Sequence, residues 1–391
     1  MAREDLKSYP FFFILYYLLY FSGFALYGVF IPIYLDSIHY SQAAIGFLIS
    51  IGPVATVLGQ PIWGAAGDRS KNKADILRII LLGIGLSVVL FGLSTNYFYL
   101  LIVMSALTFF QSALGPTSDA ITLEYTENTG WKYGPIRASG TLGYAIMAAA
   151  AGIIIKNDMH LIFILYMLII AFAAGSTFMF PRIPGHQSGK SKVSLFSLLK
   201  NREMFMLMLF VLVTHTFIGF YNTFFPIYFK HLGSGNALVG ISVALAAVSE
   251  LPFIFFGDRI LEKLGVKRAI FGSVLLLSIR WLLMSFISNP YIILFLQVLH
   301  GPSLVFLLFS MVVYVSKKAP KELRSSGQAL YAMVYSGLSR IIGSAFGGFL
   351  SDKFGIQSVF LTGAVVTAIS LVVFKDLFRG TDEAEAEIET S

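Results

Sequence analysis

The chain has 391 residues, of which 57% are hydrophobic and 13% charged. A soluble domain carries about 25% charged residues, so half of the usual solvated surface is missing and the chain reads as a membrane protein. The absence of Cys excludes disulfides, thiol catalysis and Cys-based metal sites, and the net charge of +7 reflects loop topology before it implies nucleic acid.

Crossing a bilayer takes roughly 20 mostly apolar residues as a helix. Twelve such stretches are expected in chain order, at 10–35, 42–66, 75–94, 97–125, 133–155, 159–180, 203–229, 237–257, 267–287, 290–316, 324–351 and 355–377. Pro32, Pro116, Pro226, Pro252 and Pro302 are available to bend the longer ones. Arg3 and Lys7 precede the first span as in a signal peptide, but its apolar run is too long and no A-x-A site follows, so it is expected to be retained. The break at 181–201 contains Pro, Gly, Ser and basic residues and reads as a linker between a six-helix bundle at 1–180 and another at 202–380. Residues 190–200 suit an amphipathic surface helix, and the acidic stretch within 381–391 suits a solvated, disordered tail. No alternating strand pattern competes, so the fold class is an all-α membrane protein.

Of the 28 Lys and Arg, 22 fall on the side of the N-terminus, only Lys156, Lys230 and Lys353 on the other, and Arg137, Arg280 and Arg340 inside spans. That bias places both termini in the cytoplasm. Three internal matches cross the linker in order: Phe-Ile-Pro-Ile-Tyr at 30–34 with Phe-Phe-Pro-Ile-Tyr at 224–228, Gly67-Asp68-Arg69 with Gly257-Asp258-Arg259, and 137–145 with 324–332. Their near-constant offsets make the halves parallel repeats, with a binding site expected at their interface.

Charges inside spans are costly, so each is a functional hypothesis. Asp119 lies nine residues before Asn128 and Arg137 nine after it, which puts both at one depth, roughly 13 Å from the turn. Arg280 and His300 are symmetric about Pro290, and Glu250 and Arg280 about Gly265, so those three can share a layer. A carboxylate beside Arg and His in a low dielectric is what a titratable switch needs, although structural ion pairing would use the same positions. His215 shares a helical face with Gly219, Asn222 and Pro226, and is expected to point to a cavity unless it is a packing residue. Tyr16, Tyr20 and Tyr27 form one face of the first span, and Gln328, Tyr331 and Tyr335 one face of the eleventh. Either face serves a polar cavity or packing. The Gly and Ala clusters, Gly343 and Gly347 among them, read as close helix contacts.

The stretch Gly64-Ala-Ala-Gly-Asp68-Arg69-Ser-Lys71-Asn-Lys73 resembles the G-x-x-x-D-R-x-x-x-K signature of the major facilitator superfamily, with Asp258-Arg259 as its degenerate copy. The resemblance implies a conformational latch at Gly64, Asp68, Arg69, Lys73, Asp258 and Arg259. Asp119, Arg137 with Gly140, and Tyr144 are similar to the sugar-binding acid, Arg and ring of lactose permease-like oligosaccharide:proton symporters. Glu250, Arg280-Trp281-Leu282, Gln297-x-x-His300 and 327–331 resemble the phenylpropionate permease-like branch more closely. Ser303 stands where the lactose permease-like pattern has a proton-carrying Glu. The resemblance implies twelve helices and proton-coupled import of a small polar solute by alternating access. Asp119, Arg137, Tyr144, Tyr20, Tyr27, Asn222, Gln297 and Tyr331 are then expected at the substrate, and Glu250, Arg280, His300 and His215 at the proton.

A sugar or glycoside is favoured, with an aromatic carboxylate, proton-coupled efflux and a non-transporting sensor as alternatives. No Walker loop, HExxH or GxSxG elbow is present, so no enzyme is expected. Nor is a cofactor or metal. The expected partners are substrate, proton and lipid, for a monomer in the cell membrane.

Overall fold

The structure is a computed structural model that describes residues 10–156, 158–185, 195–320 and 323–375. The acidic tail and residues 190–194 of the amphipathic stretch expected at 190–200 lie outside the described residues, and the rest of that stretch, Leu195–Lys200, forms a 3-10 helix.

The helices are α1 (Phe11–Ser37), α2 (Gln42–Arg69), α3 (Lys73–Phe91), α4 (Tyr97–Thr129), α5 (Tyr133–Ile154), α6 (Leu161–Met179), α7 (Arg202–His231), α8 (Asn236–Leu264), α9 (Val266–Phe286), α10 (Pro290–Leu299), α11 (Gly301–Lys318), α12 (Arg324–Ala332), α13 (Ser339–Phe354) and α14 (Ile356–Val373). Ten of these are long and apolar enough to cross a membrane. No strand occurs among the described residues. Large apolar side chains such as Leu82, Ile102, Phe286 and Phe295 are mostly exposed. That surface suits hydrocarbon rather than water.

Several starts follow from local chemistry. Ser41, Asn72 and Asn96 each turn a side-chain oxygen to a free first-turn N–H of α2, α3 or α4, and Asn289 does so ahead of Pro290, whose missing N–H is harmless at the first position of α10. Inside spans, proline acts differently from one site to another. Pro116, Pro226 and Pro252 sit within continuous helices. Pro32 follows a π-helical turn, Leu26–Phe30, and Pro302 lies in another, Gly301–Val305. A proline cannot donate to residue i−4 and its ring crowds that carbonyl, and a widened turn relieves both. A third π turn, Met333–Leu338, joins α12 to α13. The spans expected at 290–316 and 324–351 are therefore each interrupted.

Two compact units divide the chain: Met1–Lys190 with Phe225–Leu245, and Ser191–Phe224 with Ala246–Ser391. In the first, α1 packs on α5 and α6, α4 on α2 and α3, and α3 on α6. In the second, α9 packs on α14 and α11, α13 on α14, and α11 on α12. The Gly343 expectation holds geometrically, since a Cβ there would meet the Thr216 carbonyl oxygen at 2.1 Å. Close backbone approach of this kind drives helix association where lipid removes the hydrophobic contribution.

Candidate functional site

Each unit holds an arginine-centred cluster at the positions expected from the sequence. In the first unit, α4 supplies Asp119 and α5 supplies Arg137, whose Nε lies 3.8 Å from Asp119 Oδ1. Both side chains are about 35% exposed. The separation exceeds hydrogen-bond length, so the pair is open and retains unused donors and acceptors. Tyr17 on α1 donates its hydroxyl to Asp119 Oδ1 at 2.6 Å and approaches Thr122 at 3.2 Å. The guanidinium stacks 4.1 Å over the Phe21 ring and 5.7 Å over Tyr17. Tyr17 and Phe21, one turn apart on α1, thus hold the acid and the base in place.

Three other residues expected at the substrate, Tyr20, Tyr27 and Tyr144, belong to the same unit. The Tyr20 hydroxyl faces Gly115 of α4, and the Tyr144 hydroxyl lies about one van der Waals contact from Gly28. Tyr27 is buried within the first π turn.

In the second unit, Arg280 of α9 is completely buried. Its Nη2 donates to the Tyr221 hydroxyl and to Gln297 Oε1, each at 2.7 Å, and Tyr221 in turn donates to the same Gln297 oxygen at 2.7 Å. The Gln297 amide donates to the Ile293 carbonyl at 3.1 Å. Arg280 Nη1 stands 3.1 Å from His300 Nδ1, and His300 Nε2 stands 3.3 Å from Glu250 Oε1. Glu250 keeps 24% of its side chain exposed. Guanidinium has no acceptor, so His300 Nδ1 must accept, and the neutral ring then carries its proton on Nε2, facing the carboxylate. The order is Arg280, His300, Glu250, running from a sealed interior to an accessible oxygen.

Ser249 explains how α8 places Glu250 there. Its hydroxyl accepts from Gly301 N–H at 2.9 Å and reaches the Gln297 carbonyl at 3.3 Å, entering the backbone ladder where the tenth span breaks. The adjacent Glu250 is carried to His300 by that insertion.

Other expected residues are placed outside these clusters. His215 is 1% exposed, with Nδ1 3.0 Å from the Val211 carbonyl and its ring against Tyr331 and Tyr335. Asn222, expected on the same face, is exposed, while Gly219 packs on the backbone of Arg340. Tyr331 is buried and stacked on Tyr335, and Gln328 turns to Val312 and Ser316 on α11. Of the latch residues, Gly64, Asp68, Arg69, Asp258 and Arg259 are exposed, and Gly64, Asp68 and Lys73 border one small surface pocket. Lys73 pairs with Glu124 at 3.1 Å.

Two residues central to the clusters, Tyr17 and Tyr221, have no signal in the spacing. Tyr17 lies one position off the Tyr16 and Tyr20 face, and Tyr221 meets Arg280 across 59 residues of sequence. Among the described residues no three His, Asp or Glu side chains gather as a metal site requires.

The description "MFS_1 like family" matches residues 13–362. The maltose permease of Geobacillus stearothermophilus is 28% identical over 363 residues, covering 92% of this chain and 91% of that protein. The raffinose permease of Escherichia coli is 24% identical, covering 92% and 90%, and the probable 3-phenylpropionic acid transporter of Escherichia coli is 24% identical, covering 89% and 93%. Among solved structures, the nucleoside transporter NupG superposes with a TM-score of 0.83 at 19% identity, over 96% of this chain and 99% of that one.

Proposed function

Because the chain belongs to the MFS_1 like family of permeases and is a multi-pass membrane transporter of a small molecule rather than an enzyme, we propose that it imports a small polar organic solute, a sugar or glycoside, together with a proton. In this reading two parallel six-helix halves make twelve spans, both termini are cytoplasmic, the cell membrane is the site of action, and the monomer is the working unit.

One observation carries the substrate assignment: the open Asp119 and Arg137 pair, 3.8 Å apart and a third exposed. Sugar hydroxyls both donate and accept, so one diol can bridge a carboxylate and a guanidinium, while the neighbouring Phe21 and Tyr20 rings offer stacking faces. An aromatic carboxylate would be held best by two free guanidinium groups, Arg137 and Arg280. Arg280 already gives both terminal nitrogens to Tyr221, Gln297 and His300, which supports the sugar.

The proton is assigned to Glu250. Its carboxylate is partly accessible, so it can exchange a proton with water, and it faces His300 Nε2 until movement separates the two. Gln297, with its amide occupied on both sides, acts by positioning Arg280.

The test is uptake into proteoliposomes under an imposed pH gradient, with labelled maltose, raffinose and an aromatic acid supplied separately. Accumulation of a sugar that collapses with the gradient is expected. Accumulation of the acid alone would overturn the substrate class, and sugar uptake indifferent to the gradient would overturn proton coupling.

A further inference from the structure

The segment after α6 does not leave the first unit freely. Lys73 N–H donates to the Ile183 carbonyl at 2.8 Å, Gly185 N–H to the Ser70 carbonyl at 3.0 Å, and Ile183 N–H to Asn72 Oδ1 at 3.3 Å. The approach is so tight that a Cβ on Gly185 would lie 2.3 Å from the backbone oxygens of Gly67 and Asp68. This clamp brings Arg182 beside the start of α3 and closes a cavity of about 480 Å³ lined by Lys71, Asn72, Asp75, Arg78, Phe178 and Arg182, with Phe180 beneath.

Three cations face one acid there, leaving two positive charges uncompensated among the lining residues. Arg78 is held rigidly: it pairs with Asp75, donates to the Thr177 hydroxyl at 3.3 Å and carbonyl at 2.7 Å, and lies 4.5 Å over the Phe178 ring. Its side chain is still 21% exposed. Lys71 and Arg182 are exposed and make the cavity's free charge. The cavity sits where α3 begins and α6 ends, at headgroup depth for two spanning helices. Phe178 and Met179 beside it are 69% and 65% exposed, an apolar step toward the hydrocarbon.

We propose that this cavity binds the phosphate group of an anionic phospholipid, the headgroup oxygens taken by Lys71 and Arg182 beside the fixed charge of Arg78, and the glycerol and first acyl carbons resting on Phe178. A fixed guanidinium with two exposed cations at a helix start suits a phosphodiester, and basic pockets between helices at that depth bind such headgroups. The proposal is independent of the transported substrate.

The test uses the whole protein in detergent, with the thermal unfolding midpoint as readout, because a ligand that binds the native state raises it. Short-chain phosphatidylglycerol, phosphatidylcholine and inorganic phosphate are added in turn. Arg78 is left intact because it fastens α3 to α6, and the variant is Lys71→Gln with Arg182→Gln. A control pair, Lys263→Gln with Arg268→Gln, removes the same charge from the last turn of α8 and the start of α9.

Phosphatidylglycerol is expected to raise the wild-type midpoint by several degrees and phosphatidylcholine not to. The shift should fall by more than half in the first pair and persist in the control pair. An equal, pair-sensitive shift with inorganic phosphate would keep the site and name the free ion as its ligand in place of the lipid. No phosphatidylglycerol shift in the wild type, or equal shifts in both double variants, would overturn the proposal.

Discussion

Arg280 Nη1 stands 3.1 Å from His300 Nδ1, and because an arginine only donates, that contact dictates which nitrogen of His300 can carry the proton toward Glu250. Glu250→Gln is expected to lose proton-driven accumulation yet keep exchange of substrate across the membrane, since the amide mimics the protonated acid. Both are read in proteoliposomes with and without a gradient. Accumulation retained in Glu250→Gln and lost in His300→Gln would move the role to the histidine.

Tyr221 both accepts from Arg280 and donates to Gln297. Tyr221→Phe removes that hydroxyl and leaves a buried cation under-satisfied, at a cost of about 1.5–3 kcal/mol. A lowered unfolding midpoint in detergent checks this. An unchanged midpoint would mean that this hydroxyl contributes nothing to stability.

Asp119→Asn and Arg137→Ala should each abolish uptake with expression nearly intact, because the pair is a third exposed and its loss opens no cavity in the core. Tyr17→Phe should be milder. Without the 2.6 Å hydrogen bond the carboxylate is less well aimed, and an increase in transport KM of about tenfold corresponds to about 1.4 kcal/mol. Normal KM in Tyr17→Phe would remove its positioning role, and normal uptake in either charge variant would remove the site.

In the first unit His231 Nε2 also lies 2.9 Å from Asp36 Oδ2, while Gln42 donates to Asp36 Oδ1 at 3.0 Å. The histidine contact is a full ion pair only when the imidazole is protonated, so acid tightens it and pH above the ordinary histidine value of about 6.5 loosens it. With no native Cys, an Asn236→Cys thiol can report opening, since Asn236 is 8% exposed here. Labelling should be slower at pH 5.5 than at pH 8.5 by more than in a His231→Gln background, and faster throughout in Asp36→Asn. Identical pH dependence in both backgrounds would show that the pair does not hold this end closed.

Depth and class were determined by sequence alone. Apolar run length and missing charge imply spanning helices, and counting equal residues either side of a turn set Asp119 level with Arg137, and Glu250 and His300 level with Arg280, because rise per residue is nearly constant along a helix. What only the tertiary structure decided is azimuth, the direction in which each side chain points. Lipid-facing and core-facing residues are equally apolar in a membrane, so no polar stripe marks the inner face. The π turns at Leu26–Phe30, Gly301–Val305 and Met333–Leu338 break the 3.6-residue count on which the faces of Tyr27 and Tyr331 were projected. Tyr17 meets Asp119, Gln297 turns to Arg280, and His215 lies sealed among tyrosines, all set by which helix packs alongside.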